Sequence, residues 1–243
     1  MAGVRIDGVE RVFRDRRGRA AEVVALRGMS LHAEPGEIVC VVGASGCGKS
    51  TLLELICGLQ MPDAGTVAAD PAVLMPQRDL LLPWLGALDN AALALRVRGI
   101  GRADARRQAW PLFERFGLAG FERARPSQLS GGMRQRVAFA RTLLAGKPVL
   151  ALDEPFAALD ALTRQELQGW LGRALAAEPR TVVLVTHDVE EAIVLGDRVV
   201  VMAPRPGHAV VELDVPLERP RRRTDRAVIA LREQALLALG APA

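Results

Sequence analysis

The chain has 243 residues, half of them hydrophobic, and 32 Lys plus Arg against 28 Asp plus Glu give a formal charge of +4. That is enough apolar material for one large domain, or for a core with a smaller lobe, while no apolar run approaches the ~20 residues that span a bilayer. The three cysteines, Cys40, Cys47 and Cys57, fit neither a CxxC pair nor a zinc spacing, so a disulfide scaffold and a zinc module are excluded.

The N-terminus lacks the apolar core of a secretory signal, so the expectation is a soluble, cytosolic chain. Another subunit would do any membrane spanning. Arginine outnumbers lysine 30 to 2, which makes Lys49 conspicuous. The surplus positive charge suits an acidic ligand or an anionic membrane surface, or is a solvated Arg-rich face.

In chain order, the first ~40 residues read as β-rich: "VRIDGVERVF", a charged turn "RDRRGR" (14–19), then "AEVVALRGMSLH". "GEIVCVVG" is a short apolar run, as a buried strand would be, and "KSTLLELICGL" reads as a helix. From about 87 to 145 the segments look helical, including "LDNAALALRVRG" and "RADARRQAWPLFERFG". At 129–144 the apolar residues Met133, Val137, Ala140 and Leu144 share one helix face behind Ser130, Gly131 and Gly132. Then follow "PVLALDEP" (strand), 159–178 (helix), "TVVLVTHD" (strand), "VEEAIVLG" (helix), "DRVVVMAPRPG" (strand and turn) and a last helix from Asp225. Alternating strands and helices predict an α/β fold with a mainly parallel sheet, preceded by an antiparallel β-subdomain. The implied division is a core of 1–86 and 146–243, with an inserted helical subdomain at 87–145. The basic run "RPRRRTDR" (219–226) reads as a solvated linker, with lipid head groups or nucleic acid as alternative contacts.

Chemistry concentrates at strand ends. "GASGCGKST" supplies Gly43, Ala44, Ser45, Gly46, Cys47, Gly48, Lys49, Ser50 and Thr51, an uninterrupted match to the phosphate loop G-x-x-x-x-G-K-[ST]. Its glycines let backbone N–H groups close around phosphates, Lys49 can reach the β- and γ-phosphates, and the Ser50 hydroxyl suits Mg²⁺. Asp153 and Glu154 follow an apolar strand, where Asp153 can hold Mg²⁺ through water and Glu154 can polarise a water. The alternative for this pair is an acidic N-terminal turn of the next helix. Gln77 and His187 also follow apolar runs; taken singly, each is an ordinary loop residue. In an open parallel sheet, ligands sit outside the carboxyl ends of strands, so Gly43, Gln77, Asp153 and His187 would share one rim. The start of the 130–144 helix is a second anion-seeking backbone, since its free N–H groups point outward.

This ordered set resembles the ATPase subunit of an ATP-binding cassette (ABC) transporter over nearly the whole chain. "GASGCGKST" is similar to the Walker A loop, "VLALDE" to Walker B, Gln77 to the Q-loop, "LSGGMRQ" to the signature motif, "AALD" to the D-loop and His187 to the switch histidine. The resemblance implies a P-loop NTPase fold with ATP and Mg²⁺ as cofactors. It also implies a head-to-tail homodimer, in which Ser130, Gly131 and Gly132 bind the γ-phosphate held by the partner's Lys49. Glu154 would be the base, His187 would align γ-phosphate and water, Gln77 would sense γ-phosphate or Mg²⁺, and Asp160 would line the dimer seam. Ser50, Gln77 and Asp153 form the implied metal set. The family commonly stacks adenine on an aromatic near the N-terminus, often Tyr; this chain has no Tyr, and Phe13 is the candidate, with a core plug as the alternative. The expectation is that the chain lacks the added C-terminal regulatory domain seen in some sugar-importer ATPases. A polytopic permease, and through it an extracytoplasmic solute-binding protein, are the implied partners, at the cytoplasmic face of the cell membrane; no nucleic acid is expected. "LLPW…LDN" and 162–171 resemble the nitrate, sulfonate and taurine importer group, which also includes pyrimidine-precursor transporters. Trp84 would then face the permease, or else belong to the helical core, while Leu167, Trp170, Leu171 and Ala174 read as a packing face. The alternative function is a non-transport ABC ATPase acting on nucleic acid or an assembly partner. Bound MgATP is expected to shield Cys47 from thiol reagents.

Overall fold

The computed structural model describes residues 3–14, 22–177 and 179–240. The turn expected at 14–19 lies, apart from Arg14, outside the described residues. Two sheets form the frame. The smaller is antiparallel, ordered β2-β1-β4 from Val23–Ala33, Val4–Phe13 and Ala64–Ala69. The larger is ordered β5-β6-β7-β3-β8-β9, from Ala72–Met75, Val149–Asp153, Thr181–Thr186, Ile38–Val42, Arg198–Met202 and Ala209–Asp214. Its pairings are parallel except β8 with β9.

Every residue of β3, β6, β7 and β8 is buried, which is why these strands are continuous apolar runs rather than alternating ones. The period of two still sorts them. Cys40, Val42, Leu152 and Leu184 face one apolar cluster with the helices, while Val41, Ala151, Val183 and Val185 face a second with the antiparallel sheet. Helix α1 (Lys49–Ile56) fills the second cluster.

Four helices lie between Ala87 and Leu143: α2 (Ala87–Ala91), α3 (Leu93–Val97), α4 (Arg102–Arg115) and α5 (Gly131–Leu143). Their apolar faces join the sheet's first cluster without a break. The weld is aromatic: Phe116 stacks on Phe139 at 5.7 Å and meets Trp170 edge-on at 4.9 Å. Trp170 belongs to α6 (Ala161–Ala177), so the expected packing face on that helix is real and structural. Beyond it lie α7 (Val189–Leu195) and α8 (Arg226–Ala238). No helix among the described residues is long and apolar enough to cross a membrane.

The basic run at 219–226 is solvated only in part: Arg222, Thr224, Asp225 and Arg226 are exposed, but Arg219 and Arg221 are engaged. Arg221 is only 9 % exposed, and its guanidinium donates to the carbonyls of Ile193 (2.7 Å), Val215 (3.1 Å), Leu217 (2.9 Å) and Gly196. Arg219 donates to Leu195 O at 2.7 Å and pairs with Asp197 at 2.9 Å. The last carbonyls of a helix have no intrahelical partner, and a guanidinium carries five fixed donors. The strap therefore folds inward to close the end of α7.

Candidate active site

The phosphate loop leaves β3 at Gly43 and enters α1 at Lys49. Its glycines answer to space and dihedral angle: a Cβ on Gly48 (φ +109°) would lie 2.8 Å from Ala25 O, and one on Gly43 would lie 2.9 Å from Cys47 Sγ. Helix α1 starts without a side-chain cap, so its first N–H groups remain available to an anion. Lys49 is 7 % exposed and donates from Nζ to Gly43 O (2.7 Å) and Ala44 O (2.9 Å) at the floor of the loop. Cys47 corrects an expectation: it is 1 % exposed and packs into the apolar cluster under the loop. It can offer a ligand only its backbone, and its thiol is no reporter of nucleotide.

Ser50 Oγ donates to Asp153 Oδ2 at 2.7 Å, bringing the loop and β6 together. Burial pushes the Asp153 carboxyl up, the Ser50 hydrogen bond pulls it down, and neighbouring Glu154 adds to the rise. A hydroxyl beside a carboxylate is a hard-oxygen pair of the kind Mg²⁺ accepts alongside phosphate oxygens and water. Among the described residues no cluster of three or more His, Cys, Asp or Glu could hold a metal.

Glu154, next along the chain, has φ +47°, a left-handed conformation rare for a side-chain-bearing residue and worth about 1–3 kcal/mol of strain. Its amide N donates to Val185 O at 2.9 Å, which holds it there. The twist places Glu154 Oε2 3.3 Å from Gln77 Nε2 and 3.2 Å from His187 Nδ1. Gln77, Glu154, His187 and the phosphate loop follow β5, β6, β7 and β3, four neighbours in the larger sheet. Their convergence is therefore a consequence of parallel strand order.

A cleft of about 210 Å³ opens over this rim, walled by Ser45, Lys49, Thr51, Gln77, Asp153 and Glu154. Phe13 lines its mouth beside Val23 and is 39 % exposed, so it is no core plug; the Arg11 guanidinium sits 5.0 Å from its ring centre. Arg205 also lines the cleft and donates from both Nε and Nη2 to Gly46 O at 3.0 Å. Sequence reasoning missed it, because one Arg in a Pro-rich turn is indistinguishable among 30.

The signature residues are elsewhere. Ser130 caps α5, its Oγ accepting from Met133 N at 3.2 Å, and both Ser130 and Gly131 are exposed. None of Ser130, Gly131 or Gly132 lines the cleft. Asp160 caps α6 by accepting from Thr163 N at 3.1 Å and is also outside the cleft. The two regions are nevertheless mechanically joined. Gln135 of α5 donates to Pro155 O at 3.4 Å, and Arg134 bonds Asp79 at 2.9 Å. Arg141 donates to Asp79 O (2.8 Å) and Leu80 O (2.9 Å), just past Gln77.

The segment after Gln77 divides. Leu81, Ala87 and Leu88 enter the core, whereas Leu80 and Trp84 are exposed, Trp84 by 69 %. Buried Asn90 holds this shape: its amide donates to the carbonyls of Leu82, Leu85 and Gly86 at 3.2 Å each, and its Oδ1 accepts from Leu82 N at 2.8 Å. Packing of the helical core therefore does not account for Trp84.

The family model described as ABC transporter matches residues 26–157. The chain is 44 % identical over 243 aligned residues to the aliphatic sulfonates import ATP-binding protein SsuB 1 of Rhodococcus jostii, covering 97 % of this chain and 93 % of that protein. It is 47 % identical to the formylaminopyrimidine import ATP-binding protein ThiZ of Halalkalibacterium halodurans, over 80 % of this chain and 79 % of the other. It is 44 % identical to the taurine import ATP-binding protein TauB of Chromobacterium violaceum, over 87 % and 88 %. Among solved structures, the ATP-binding cassette MJ0796, in a dimeric post-hydrolysis state bound to ADP and Pi, superposes with a TM-score of 0.80 at 29 % identity, covering 88 % of this chain and all of the other.

Proposed function

The chain belongs to the ABC transporter family as the ATP-binding, ATP-hydrolysing subunit of an importer, and we propose that two copies close head to tail over two ATP molecules. In that assembly the Ser130–Gly132 cap of each copy completes the cleft of the other. The supporting observation is a division of labour. Lys49, Ser50, Asp153, Glu154, Gln77 and His187 share one rim, while the second anion-seeking helix end is exposed and outside that cleft. Phosphate binding at both faces of the joint would make nucleotide the adhesive and hydrolysis the release.

The arrangement of the rim supports the following division of roles. Lys49 neutralises β- and γ-phosphate charge. Ser50 and, through water, Asp153 would hold Mg²⁺, which supplies electrostatic stabilisation of the transferring phosphoryl group. Glu154 takes a proton from the attacking water, and His187, 3.2 Å from Glu154, aligns that water with the γ-phosphate. Gln77 senses the same centre and passes its state to α5 through Asp79, Arg134 and Arg141. Phe13 stacks on adenine, and Asp160 lines the seam. Leu80 and Trp84 offer the apolar surface on which a cytoplasmic segment of the permease rests. The subunit works at the cytoplasmic face of the membrane through that permease. The solute is a small sulfonate-like anion or a pyrimidine precursor, chosen by the permease and an extracytoplasmic binding protein. The test is a Glu154→Gln variant saturated with MgATP: its mass by light scattering should double. A strict monomer at high concentration, with and without the permease, would overturn the reading.

A further inference from the structure

His187 is 65 % exposed at its side chain, and its one polar side-chain partner among the described residues is Glu154. Its position must therefore be set by the backbone on either side. Thr186, the residue before it, donates from Oγ1 to Glu191 Oε2 at 2.5 Å, and Asp188 N, on the other side, donates back to the same hydroxyl at 3.1 Å. Glu191 is 4 % exposed, and its second oxygen accepts from Gln168 Nε2 of α6 at 2.8 Å. Gln168 Oε1 in turn accepts from Arg223 Nη2 at 3.0 Å, and the other arm of Arg223 pairs with Glu190 at 2.7 Å. The chain of bonds thus runs from the basic strap, through α6, to the turn that carries the switch histidine. Both Glu191 oxygens accept. Burial pushes its carboxyl above the usual range, with nearby Asp188 adding to the rise, against hydrogen bonds from Thr186 and Gln168 and the charge of Arg164. Arg223, reached through Gln168, adds a cation at the far end.

We propose that Glu191 is a positioning residue for His187, and that Arg223 of the strap, acting through Gln168, keeps it in register. Arg223 is thereby tied to the hydrolytic apparatus, while its strap neighbours Arg219 and Arg221 close the end of α7. The inference rests on the reading of His187 given above. A site that must align a water gains its rate from small positional tolerances, so a loosened support lowers turnover without weakening nucleotide binding.

The test is MgATP hydrolysis by the purified full chain. Arg223→Ala and the isosteric Thr186→Val should each lower kcat by about 5- to 20-fold with KM for MgATP within about two-fold. Arg222→Ala, one residue away with its side chain exposed, should leave both unchanged. In single turnovers on a His187→Ala background, Arg223→Ala should cost nothing further, since both act through one residue. Wild-type kcat in Arg223→Ala and Thr186→Val overturns the proposal, as does an undiminished loss when His187 is already alanine. Wild-type turnover in His187→Ala alone would instead remove the role given to His187.

Discussion

Two helix starts in this molecule look alike in sequence and differ in what surrounds them. The phosphate loop and the signature segment both set glycines ahead of free N–H groups. At the first, Lys49 is buried, Ser50 is bonded to Asp153 at 2.7 Å, and four strand ends crowd the same space. At the second, Ser130 caps its own helix and faces solvent. A helix end attracts an anion weakly by itself; convergent charge in a partly desolvated cleft does far more. On the proposed reading, the first end holds nucleotide within one chain, and the second would act once another copy supplies the phosphate.

The sharpest way to break this contrast is at the first end. Lys49→Ala should lower kcat/KM by at least ~10²–10³, whereas Glu154→Gln should lose turnover to a similar degree and still bind MgATP, as measured by equilibrium binding. Loss of binding in Glu154→Gln would return that residue to a structural role. The contrast is sharpened by mixing. Lys49→Ala and Ser130→Ala copies should each be poorly active, yet a mixed dimer combines both defects in one site and leaves the other intact. Recovery of hydrolysis on mixing supports the composite arrangement, and no recovery places both residues in the same site.

A smaller effect separates the helical lobe from the site. Burial would raise the Asp89 carboxyl, but paired hydrogen bonds from Arg102 and Arg106 outweigh it and hold the pKa at about 2, against an ordinary 3.8. Because folding depresses this pKa, the stabilisation is complete above the ordinary value and disappears as pH falls through about 2. It amounts to roughly 2 kcal/mol. Asp89→Asn should lower the melting temperature at pH 7 and make it less sensitive to acid between pH 4 and 2. An unchanged melt would show the pair to be dispensable. The smallest effect belongs to Phe13→Ala, which should raise KM for ATP by roughly 3- to 10-fold, the worth of one ring stack, with kcat little altered. An equal rise in KM for ATP and GTP would indicate shape rather than adenine recognition.

Much of the active site was legible because its motifs are local. The glycines of 43–48 sit where a Cβ would strike backbone or a neighbouring side chain, and that need is written in consecutive residues. Gln77, Glu154 and His187 were legible by a weaker signal, each lying within two residues of the end of an apolar run. Other features were opaque for one shared reason: their partners are distant in sequence. Arg205 meets Gly46 across 159 residues, and Arg221 meets carbonyls up to 28 residues away. Cys47 faces the core although Ser45 and Gly46 beside it are exposed, and Trp84 faces solvent within a segment whose Leu81, Ala87 and Leu88 are buried. The left-handed turn at Glu154 has no glycine to announce it.

The sequence by itself determined most of the strands and helices, though not β4 or β9, and which backbone could close around phosphate, because periodicity and glycine placement act over a few residues. Tertiary structure alone decided that β5, β6, β7 and β3 lie side by side, that Glu154 stands between Gln77 and His187, and that an arginine strap supports the turn beside them. Those outcomes depend on strand order and on burial of charge against remote carbonyls, and neither is encoded in any single stretch of the chain.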